Sequence, residues 1–368
     1  MVHGIRRSLP GVQADLMPIS DGGDGFIDVI LNHFGGRAVS KTVVGPLHEP
    51  RRARYALVHD GRTAVIEMAQ ASGIGDLNPK KLDPLHATSF GTGELILDAV
   101  LHGARRILVG MGGSATNDGG AGMAAALGAH FYDELGRPLP LGAQALERLA
   151  GVDVSGLKPG LKGTEVFAVS DVTNPLLGSR GSAGVFGPQK GATPAMVRIL
   201  ERALSRYAGI FKRDIGCDVA SMPGAGAAGG LGAGLAAFLR ARLVPGADWV
   251  LDQLGADRRL RRADLVLTGE GRLDFQSFFG KAPIALAHRA ARYGTSVLFV
   301  CGRIEAGIEK RLLRDLQQIG SSGTPLFVRA VSMSSCDEDC VTAMREVRAR
   351  LRRAAQDGVR LWLNFRSR

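Results

Sequence analysis

The chain of 368 residues carries a net charge of +11, and 45% of its residues are hydrophobic. This length predicts two domains, and the hydrophobic content is sufficient for a packed core in each. There is no strongly apolar run of the roughly 18 residues that a membrane helix needs, and residues 1–7 lack the apolar region of a secretory signal. We therefore expect a soluble, cytoplasmic protein.

The positive charge suits anionic small molecules. The basic residues are mostly arginines spread along the chain, aromatic residues make up only 5%, and no nucleic-acid-binding motif is present. We expect a small-molecule substrate and neither a nucleic-acid nor a membrane partner, for a protein that acts as a monomer or homodimer.

The four cysteines are too few and too scattered for a disulfide framework. Cys336 and Cys340 are four residues apart, but no histidine lies near them to complete a metal site. Free thiols are the expectation for this pair.

The chain begins with a helix over 2–8, a strand over 14–19, a polar glycine loop over 20–25 and a helix from about 26 to 34. This order is typical of a parallel α/β sheet. The residues that follow predict three strands too close together for crossover helices, and therefore antiparallel. These strands are predicted over 39–44, 53–59 and 63–68.

In the remainder, helices and strands alternate again, with an amphipathic helix over 194–210 in the middle. The last strands are predicted over 264–267, 296–301 and 326–331, and the last helices over 282–293, 308–318 and 337–356. The fold class predicted is α/β, with a Rossmann-like parallel-sheet domain and an inserted mixed α/β domain. Residues 1–38 and 241–368 form the first domain, and residues 39–240 form the second.

The strongest motif is a glycine loop over 110–122 between a strand and a helix. Glycines let backbone amides approach an anion, and a helix N-terminus adds a favourable dipole. Ser114, Thr116 and Asn117 add side-chain donors, and Asp118 is placed to reach Mg²⁺. The alternative is a tight turn that serves close helix packing.

A second alternative for this loop is nicotinamide binding, because Gly110, Gly112 and Ala115 match G-x-G-x-x-A and Asp133 follows at a suitable distance. Against it, the next helix begins later than that fingerprint requires, and Asp133 belongs to a hairpin turn. No lysine follows the glycines as in a P-loop.

Three further loops carry polar residues after predicted strands. In loop 20–25, Ser20 and Asp21 are candidates to bind substrate, and Asp24 either joins them or caps the next helix. In loop 171–181, Asp171 is a candidate base or metal ligand. Asn174 and Arg180 could hold a carboxylate or phosphate there, and the alternative is an Asx-Pro turn with a surface arginine.

Lys190 follows closely as a possible phosphate lysine, with a solvated surface lysine as the alternative. The fourth loop, 268–281, concentrates charged and glycine residues before a helix, which favours a site over a plain turn. Its candidates are Glu270, Arg272, Asp274 and Lys281. Segment 223–232 contains a formal G-x-G-x-x-G without a preceding strand, so we read it as a hinge or an anion nest.

Taken in order, these motifs resemble type I glycerate kinases. The matching stretches include Pro-Ile-Ser-Asp-Gly-Gly-Asp-Gly, Asp-Val-Thr-Asn-Pro-Leu-Leu-Gly and Phe-Gly-Pro-Gln-Lys-Gly-Ala. All eight lie over 18–25, 67–73, 88–94, 110–122, 171–178, 186–192, 224–232 and 269–277. One such stretch is weakly specific, whereas eight in sequence order are highly specific.

The resemblance implies a two-domain α/β kinase that transfers the γ-phosphate of ATP to D-glycerate with Mg²⁺, with 2-phosphoglycerate as the favoured product. Asp171, Asp274 and Lys281 are then predicted to be catalytic, and Asp118 and Glu270 to bind the metal. The predicted substrate residues are Ser20, Asp21, Asn174, Arg180 and Arg272. The predicted nucleotide and phosphate residues are Gly112, Gly113, Ser114, Thr116, Asn117, Gly119, Gly120 and Lys190.

One departure from the family pattern concerns the start of the chain. Members of this family open with a β-strand and an Asp-Ser-Phe-Lys-Gly-type loop, whereas Met1 stands where the first helix is already under way. The pattern therefore predicts that the first strand is missing. An inactive, phosphate-binding pseudoenzyme remains an alternative to the kinase, and a nicotinamide-dependent oxidoreductase is a further one.

Overall fold

The computed structural model describes residues 1–278, 280–320, 326–334 and 345–367. Cys336, Cys340 and the first part of the helix predicted over 337–356 lie outside the described residues. Cys217 and Cys301 are free thiols. Within the described ranges, no helix is long and apolar enough to cross a membrane.

The helices and strands alternate along most of the chain. The helices are α1 Val2–Ser8, α2 Phe26–Phe34, α3 Met68–Ser72, α4 Phe90–Leu101, α5 Ala121–Ala126, α6 Ser182–Phe186, α7 Pro194–Ile210, α8 Ala227–Leu239, α9 Gly246–Gln253, α10 Ala256–Leu260, α11 Ala282–Arg292, α12 Ile308–Ile319 and α13 Val347–Arg366. The strands are β1 Arg37–Val44, β2 Pro50–Val58, β3 Thr63–Glu67, β4 Arg106–Gly110, β5 His130–Tyr132, β6 Gly151–Asp153, β7 Glu165–Val169, β8 Arg242–Val244, β9 Leu265–Thr268, β10 Arg272–Leu273, β11 Ser296–Cys301, β12 Arg303–Ile304 and β13 Val328–Ser332.

The chain folds into two compact units. Met1–Ile19 and Ala247–Arg368 form what we call the terminal unit, and Ser20–Gly246 forms the inserted unit. The terminal unit contains a parallel sheet and the inserted unit a mixed sheet, which confirms the predicted α/β fold class. The first predicted boundary, after residue 38, differs because α2 packs against β2 and β3 of the inserted unit. The second, after residue 240, differs because β8 pairs with β7 of the inserted sheet.

The inserted unit is built on a six-stranded sheet of order β1-β2-β3-β4-β7-β8. Strands β1, β2 and β3 pair antiparallel, as their close spacing predicted. Strands β3, β4, β7 and β8 pair parallel. The carboxyl ends of these four strands therefore lie at one edge of the sheet.

The terminal unit has a three-stranded parallel sheet of order β13-β11-β9. The side chains of β11 alternate between two cores: Val297 and Phe299 pack in one with α11 and α12, and Leu298 and Val300 pack in the other with α13. Successive residues of a strand point to opposite faces of its sheet, so helices cover both faces.

The prediction of a strand over residues 14–19 is wrong. Met17 and Ile19 pack against the core of the terminal unit, but none of the sheet pairings among the described residues includes this segment. A strand requires a neighbour that accepts and donates its backbone hydrogen bonds. The alternating apolar residues therefore anchor an irregular segment.

Helix α2 is capped from a distant strand. The side chain of Glu67, at the end of β3, is buried, and its Oε1 accepts a hydrogen bond from the amide of Ile27 at 2.8 Å. The N-cap residue itself is Gly25, which has no side chain to do so. A buried acceptor across 40 residues thus satisfies one of the amides that every helix start leaves unpaired.

We expect Glu67→Ala to lower the free energy of unfolding by about 1–3 kcal/mol, because the buried amide of Ile27 would lose its acceptor. Urea unfolding measures this. As a control, Glu165→Ala removes a carboxylate that pairs with Arg106 at the exposed surface, which should change stability by less than about 1 kcal/mol. Equal losses in both variants would contradict the capping role.

Candidate functional site

Loops with predicted motifs converge at the edge of the inserted unit where β3, β4, β7 and β8 end. Open α/β sheets bind their ligands at this edge. Loop 20–25 lies there too, since the amide of Gly112 donates to the carbonyl oxygen of Gly22 at 3.4 Å. Gly246, which follows β8, packs against the backbone of Asp21.

The predicted substrate residues of loop 20–25 hydrogen-bond within their own loop. Ser20 Oγ accepts from the amide of Gly22 at 3.2 Å, and Asp21 Oδ1 accepts from the amide of Gly23 at 3.0 Å. Asp24 does not cap α2. Its Oδ1 would lie 3.5 Å from a Cβ placed on Gly113, so this carboxylate stands beside the glycine loop.

The glycine loop over 110–122 rests on segment 224–232. The amide of Gly119 donates to the carbonyl oxygen of Gly229 at 3.0 Å. Gly229 has φ +69°, and a Cβ there would overlap the carbonyl oxygen of Thr116. Only glycine accommodates both this conformation and this approach. In the structure, segment 224–232 supports the loop that the motifs assign to phosphate.

Asp118 lies fully buried inside the glycine loop. Its carboxylate accepts hydrogen bonds from the amide and hydroxyl of Ser89 at 2.8 and 2.9 Å, and from the amides of Gly120 and Gly122 at 3.2 Å. Burial raises its pKa, against the effect of these hydrogen bonds. Both oxygens are engaged, so Asp118 ties the loop to Ser89 at the start of α4.

Lys190 is the predicted phosphate lysine, and its side chain is buried below the glycine loop. Its Nζ donates to Ser114 Oγ and to the carbonyl oxygen of Thr116, both at 2.7 Å. Burial lowers the pKa of this ammonium to about 7, while the nearby Asp118 carboxylate acts in the opposite direction. The lysine therefore changes charge near neutral pH.

Thr116 and Asn117 were predicted to offer side-chain donors to phosphate. In the structure both side chains are fully buried, and their polar atoms have no hydrogen-bond partner among the described residues. Ser114 is also buried and already bonded to Lys190. The amides of Gly112, Gly119 and Gly120 already donate within the protein. An anion can therefore be met by amides of the other loop residues, with the lysine charge behind them.

Loop 171–181 follows β7 at the same edge. A Cβ on Gly246 would lie 3.4 Å from Asp171 Oδ2, which places this carboxylate close to the backbone of Asp21. Asn174 Nδ2 donates to the carbonyl oxygen of Arg180 at 2.8 Å, and Arg180 itself is exposed. The structure thus brings Asp171 and loop 20–25 together.

The fourth predicted loop lies in the terminal unit, after β9. Lys281 Nζ is 2.7 Å from Glu270 Oε2, while Glu270 Oε1 is buried without a partner among the described residues. Arg272 is exposed, with its Nε 3.4 Å from Asp274 Oδ2. Asp274 Oδ1 also accepts from the amide of Ser277 at 3.3 Å, so the loop carries two local ion pairs.

A metal site was predicted at Asp118 and Glu270. Within the described part of the chain, no group of three or more His, Cys, Asp or Glu is arranged to hold a metal ion. Magnesium in nucleotide sites takes only one or two carboxylates together with phosphate oxygens and water. Glu270 fits this through its unpartnered Oε1, whereas both oxygens of Asp118 are already hydrogen-bonded.

Three residues at this edge were given no role by the sequence. Glu67 caps α2, Ser89 holds Asp118, and the buried ring of Tyr207 packs against Gly119. Glu67 and Ser89 fall inside stretches that resemble the kinase family, which was the available signal. Tyr207 sits on the apolar face of an amphipathic helix, where nothing in the sequence separates it from an ordinary core residue.

Comparisons with known proteins agree with these motifs. The sequence matches the family described as "Glycerate kinase family" over residues 1–363. The glycerate kinase of Halalkalibacterium halodurans is 45% identical over 306 residues, which cover 83% of this chain and 80% of that protein. The glycerate 2-kinase of Escherichia coli K12 is 45% identical over 301 residues, covering 82% and 79%. A crystal structure from Salmonella typhimurium LT2, assigned as glycerate kinase 2, has a TM-score of 0.80 at 40% identity and covers 99% of this chain and 93% of that chain.

We expect Gly229→Ala to destabilise the protein and to weaken phosphate binding, because the new Cβ would displace Thr116 and Asn117. Urea unfolding and ATP titration measure the two effects. The control is Gly209→Ala within α7, where a Cβ meets nothing within 4 Å and helix propensity favours alanine by about 1 kcal/mol. If Gly229→Ala matched this control, the support role of Gly229 would be wrong.

Proposed function

The chain belongs to the glycerate kinase family, and on that premise we propose that it transfers the γ-phosphoryl group of ATP to a hydroxyl of D-glycerate. The observation that carries the proposal is the 45% identity to glycerate kinases over more than four-fifths of the chain. The glycine loop with a buried lysine behind it agrees with a donor that carries phosphates.

The reaction is an in-line displacement. The glycerate hydroxyl oxygen forms a bond to the γ-phosphorus, the bond from that phosphorus to the bridging oxygen breaks, and ADP leaves. The hydroxyl proton passes to a carboxylate of the protein. Catalysis of such a transfer depends mainly on positioning and on stabilising the charge of the phosphoryl oxygens.

For the nucleotide, we propose that the backbone of 112–120 holds the phosphates and that Lys190 supplies positive charge from below. Bound Mg²⁺ would neutralise phosphate charge, and Glu270 is the predicted ligand that fits it best. Lys281, paired with Glu270, adds a further cation for the transferred group.

For the acceptor, we propose Asp171 or Asp274 as the base that receives the hydroxyl proton. Asp171 supports this role by its place after β7 and its proximity to Asp21. Asp274 is held by its bond to Ser277 and by its neighbour Arg272. Exposed guanidinium groups suit the substrate carboxylate, which is the role proposed for Arg180 and Arg272. Ser20 and Asp21 are proposed to contact the substrate hydroxyls, and Asn174 is proposed to bind the substrate carboxylate together with Arg180.

We favour 2-phosphoglycerate as the product, because the Escherichia coli relative is named a glycerate 2-kinase. We further propose that the protein works in the cytoplasm with this small molecule as its substrate. Phosphorus NMR of the product separates the 2-phosphate from the 3-phosphate, and exclusive formation of the 3-phosphate would overturn this choice.

The direct test is a coupled ADP-release assay with D-glycerate, ATP and Mg²⁺. The proposal expects turnover that requires all three, with no turnover when glycerate is omitted. Reduction of NAD(P)⁺ by glycerate without ATP would support an oxidoreductase instead. Binding of ATP without any turnover would support a phosphate-binding protein that is not a kinase.

We expect Asp171→Asn to lower kcat about 100-fold or more, as loss of a general base typically does. Steady-state kinetics measure it, and Asp153→Asn, an exposed change at the end of β6, is the control. If Asp274→Asn shows the loss and Asp171→Asn does not, Asp274 is the base. Full activity in both variants would remove both from the mechanism.

The pH dependence of ATP binding should report Lys190. Its pKa of about 7 lies below the ordinary lysine value of 10.5, so the native protein loses this proton near neutral pH while the unfolded chain keeps it. Between about 7 and 10.5, stability therefore rises with pH, but the positive charge below the phosphates disappears. We expect ATP affinity to fall about tenfold as pH rises through 7.

Calorimetric titration from pH 6 to 8.5 measures this change. Lys190→Met should bind ATP more weakly at pH 6 and show no such fall, while Lys158→Met, a change at an exposed lysine, should behave as the unmodified protein does. An equal pH profile in Lys190→Met and the unmodified protein would show that another group titrates.

A further inference from the structure

Below the glycine loop, several buried polar atoms have no hydrogen-bond partner among the described residues. They are Thr116 Oγ1, Tyr207 OH and both polar atoms of the Asn117 amide, on side chains that are fully buried. Buried polar groups in native proteins are almost always paired, because leaving one unpaired is costly. These atoms therefore require a partner that the surrounding side chains do not supply.

The residues that carry these unpaired groups lie next to Asp118 in the chain or against its loop. Asn117 directly precedes Asp118, and a Cβ on Gly119 would lie 2.6 Å from Cδ1 of Tyr207. The pKa of Tyr207 is raised well above its usual value, mainly by burial and then by the charge of Asp118. The Asp118 charge also acts on Lys190, where it raises the pKa against the larger effect of burial. Lys190 donates to the carbonyl oxygen of Thr116. The residues with unpaired groups and the lysine thus lie in one buried region of the inserted unit.

The chemistry of this region selects the partner. The Lys190 ammonium already provides a cation, which disfavours a bound metal ion, and the buried Asp118 carboxylate disfavours an anion. The amide and the hydroxyls both donate and accept hydrogen bonds, and an ammonium has three N–H groups, of which two bond Ser114 and Thr116. A neutral molecule that donates and accepts meets all of these demands, and water is small enough and needs only two to four polar partners.

We propose that ordered water links Tyr207, Asn117 and Thr116 to Lys190, and that Tyr207 and Asn117 are thereby positioning residues for the phosphate-binding loop. Neither side chain touches the substrate. Through the water, Tyr207 and Asn117 fix the position of the Lys190 ammonium. The lysine in turn fixes Ser114 and the backbone of Thr116 in the conformation that binds the ATP phosphates. The part that concerns ATP rests on the proposed function.

Tyr207→Phe tests the proposal, because it removes only the hydroxyl and keeps the buried ring. If the hydroxyl bonds to water, its loss lowers the urea unfolding midpoint and weakens binding of a non-hydrolysable ATP analogue about 2- to 10-fold. If the hydroxyl has no partner, its removal relieves a buried polar group and raises the midpoint. A raised midpoint would overturn the proposal.

The matched control is Tyr55→Phe. Tyr55 is equally buried, and its hydroxyl donates to Asp98 Oδ2 at 2.9 Å, away from the glycine loop. This variant should lose stability and keep its ATP affinity. If Tyr207→Phe behaves in the same way, water is present but the positioning role is wrong.

A second readout separates positioning from general stability. Water that accepts from Lys190 stabilises the ammonium, so its loss in Tyr207→Phe should move the pH midpoint of ATP-analogue binding to lower pH. A purely structural role would leave that midpoint unchanged and would overturn the positioning role. Thr116→Val, similar in size, should shift stability and midpoint in the same directions and serves if Tyr207→Phe does not fold.

These experiments distinguish the two proposals. If the unmodified protein binds no ATP analogue, the proposed function fails, and the unfolding midpoints of Tyr207→Phe and Thr116→Val still decide whether water is bound. If it binds the analogue and both variants match it in affinity and pH midpoint, the proposed function stands and the positioning role fails.

Discussion

Close backbone packing between three glycine-rich segments determines the geometry of the inserted unit's strand edge. Loop 20–25 contacts loop 110–122 through Gly22 and Gly112, and loop 110–122 contacts segment 224–232 through Gly119 and Gly229. A Cβ at several of these positions would overlap neighbouring backbone. Segments far apart in the chain therefore depend on one another for their conformation.

This packing buries the side chains of the loop interior away from bulk solvent, which has electrostatic consequences. Asp118 and Lys190 are both buried there, and burial disfavours the charged form of each. Hydrogen bonds from Ser89 and the loop amides stabilise the carboxylate. Burial lowers the pKa of the lysine to about 7. A positive charge that is available at neutral pH but poorly solvated suits phosphate binding, because the anion then replaces solvation that the protein lacks.

The terminal unit contributes a different arrangement of charge. Glu270 and Lys281 form an ion pair at the end of β9, and the glutamate keeps one buried oxygen without a partner among the described residues. Arg272 and Asp274 are paired near the surface. Carboxylates and cations held on a loop between a strand and a helix match what phosphoryl transfer requires, which is fixed charge rather than covalent chemistry.

The sequence by itself determined the fold class, most of the helices and strands, the motif loops and the family. These follow from local periodicity and from residue order, as in β11, where the predicted bounds equal the observed ones. The strand over 14–19 was mispredicted because a strand depends on a neighbour that periodicity does not reveal. For the same reason the predicted domain boundary differs from the observed one, since α2 belongs where it packs.

Within the candidate site, the sequence named the loops but not the direction of their side chains. Only the tertiary structure decided that the side chains of Thr116 and Asn117 are buried. It likewise decided that both carboxylate oxygens of Asp118 accept hydrogen bonds within the loop, and that Lys190 is buried behind the glycines instead of lying in solvent. Tyr207 and Glu67 joined this region through contacts with residues distant in the chain. Burial and partner choice arise from packing between distant segments, so no local pattern could have predicted them.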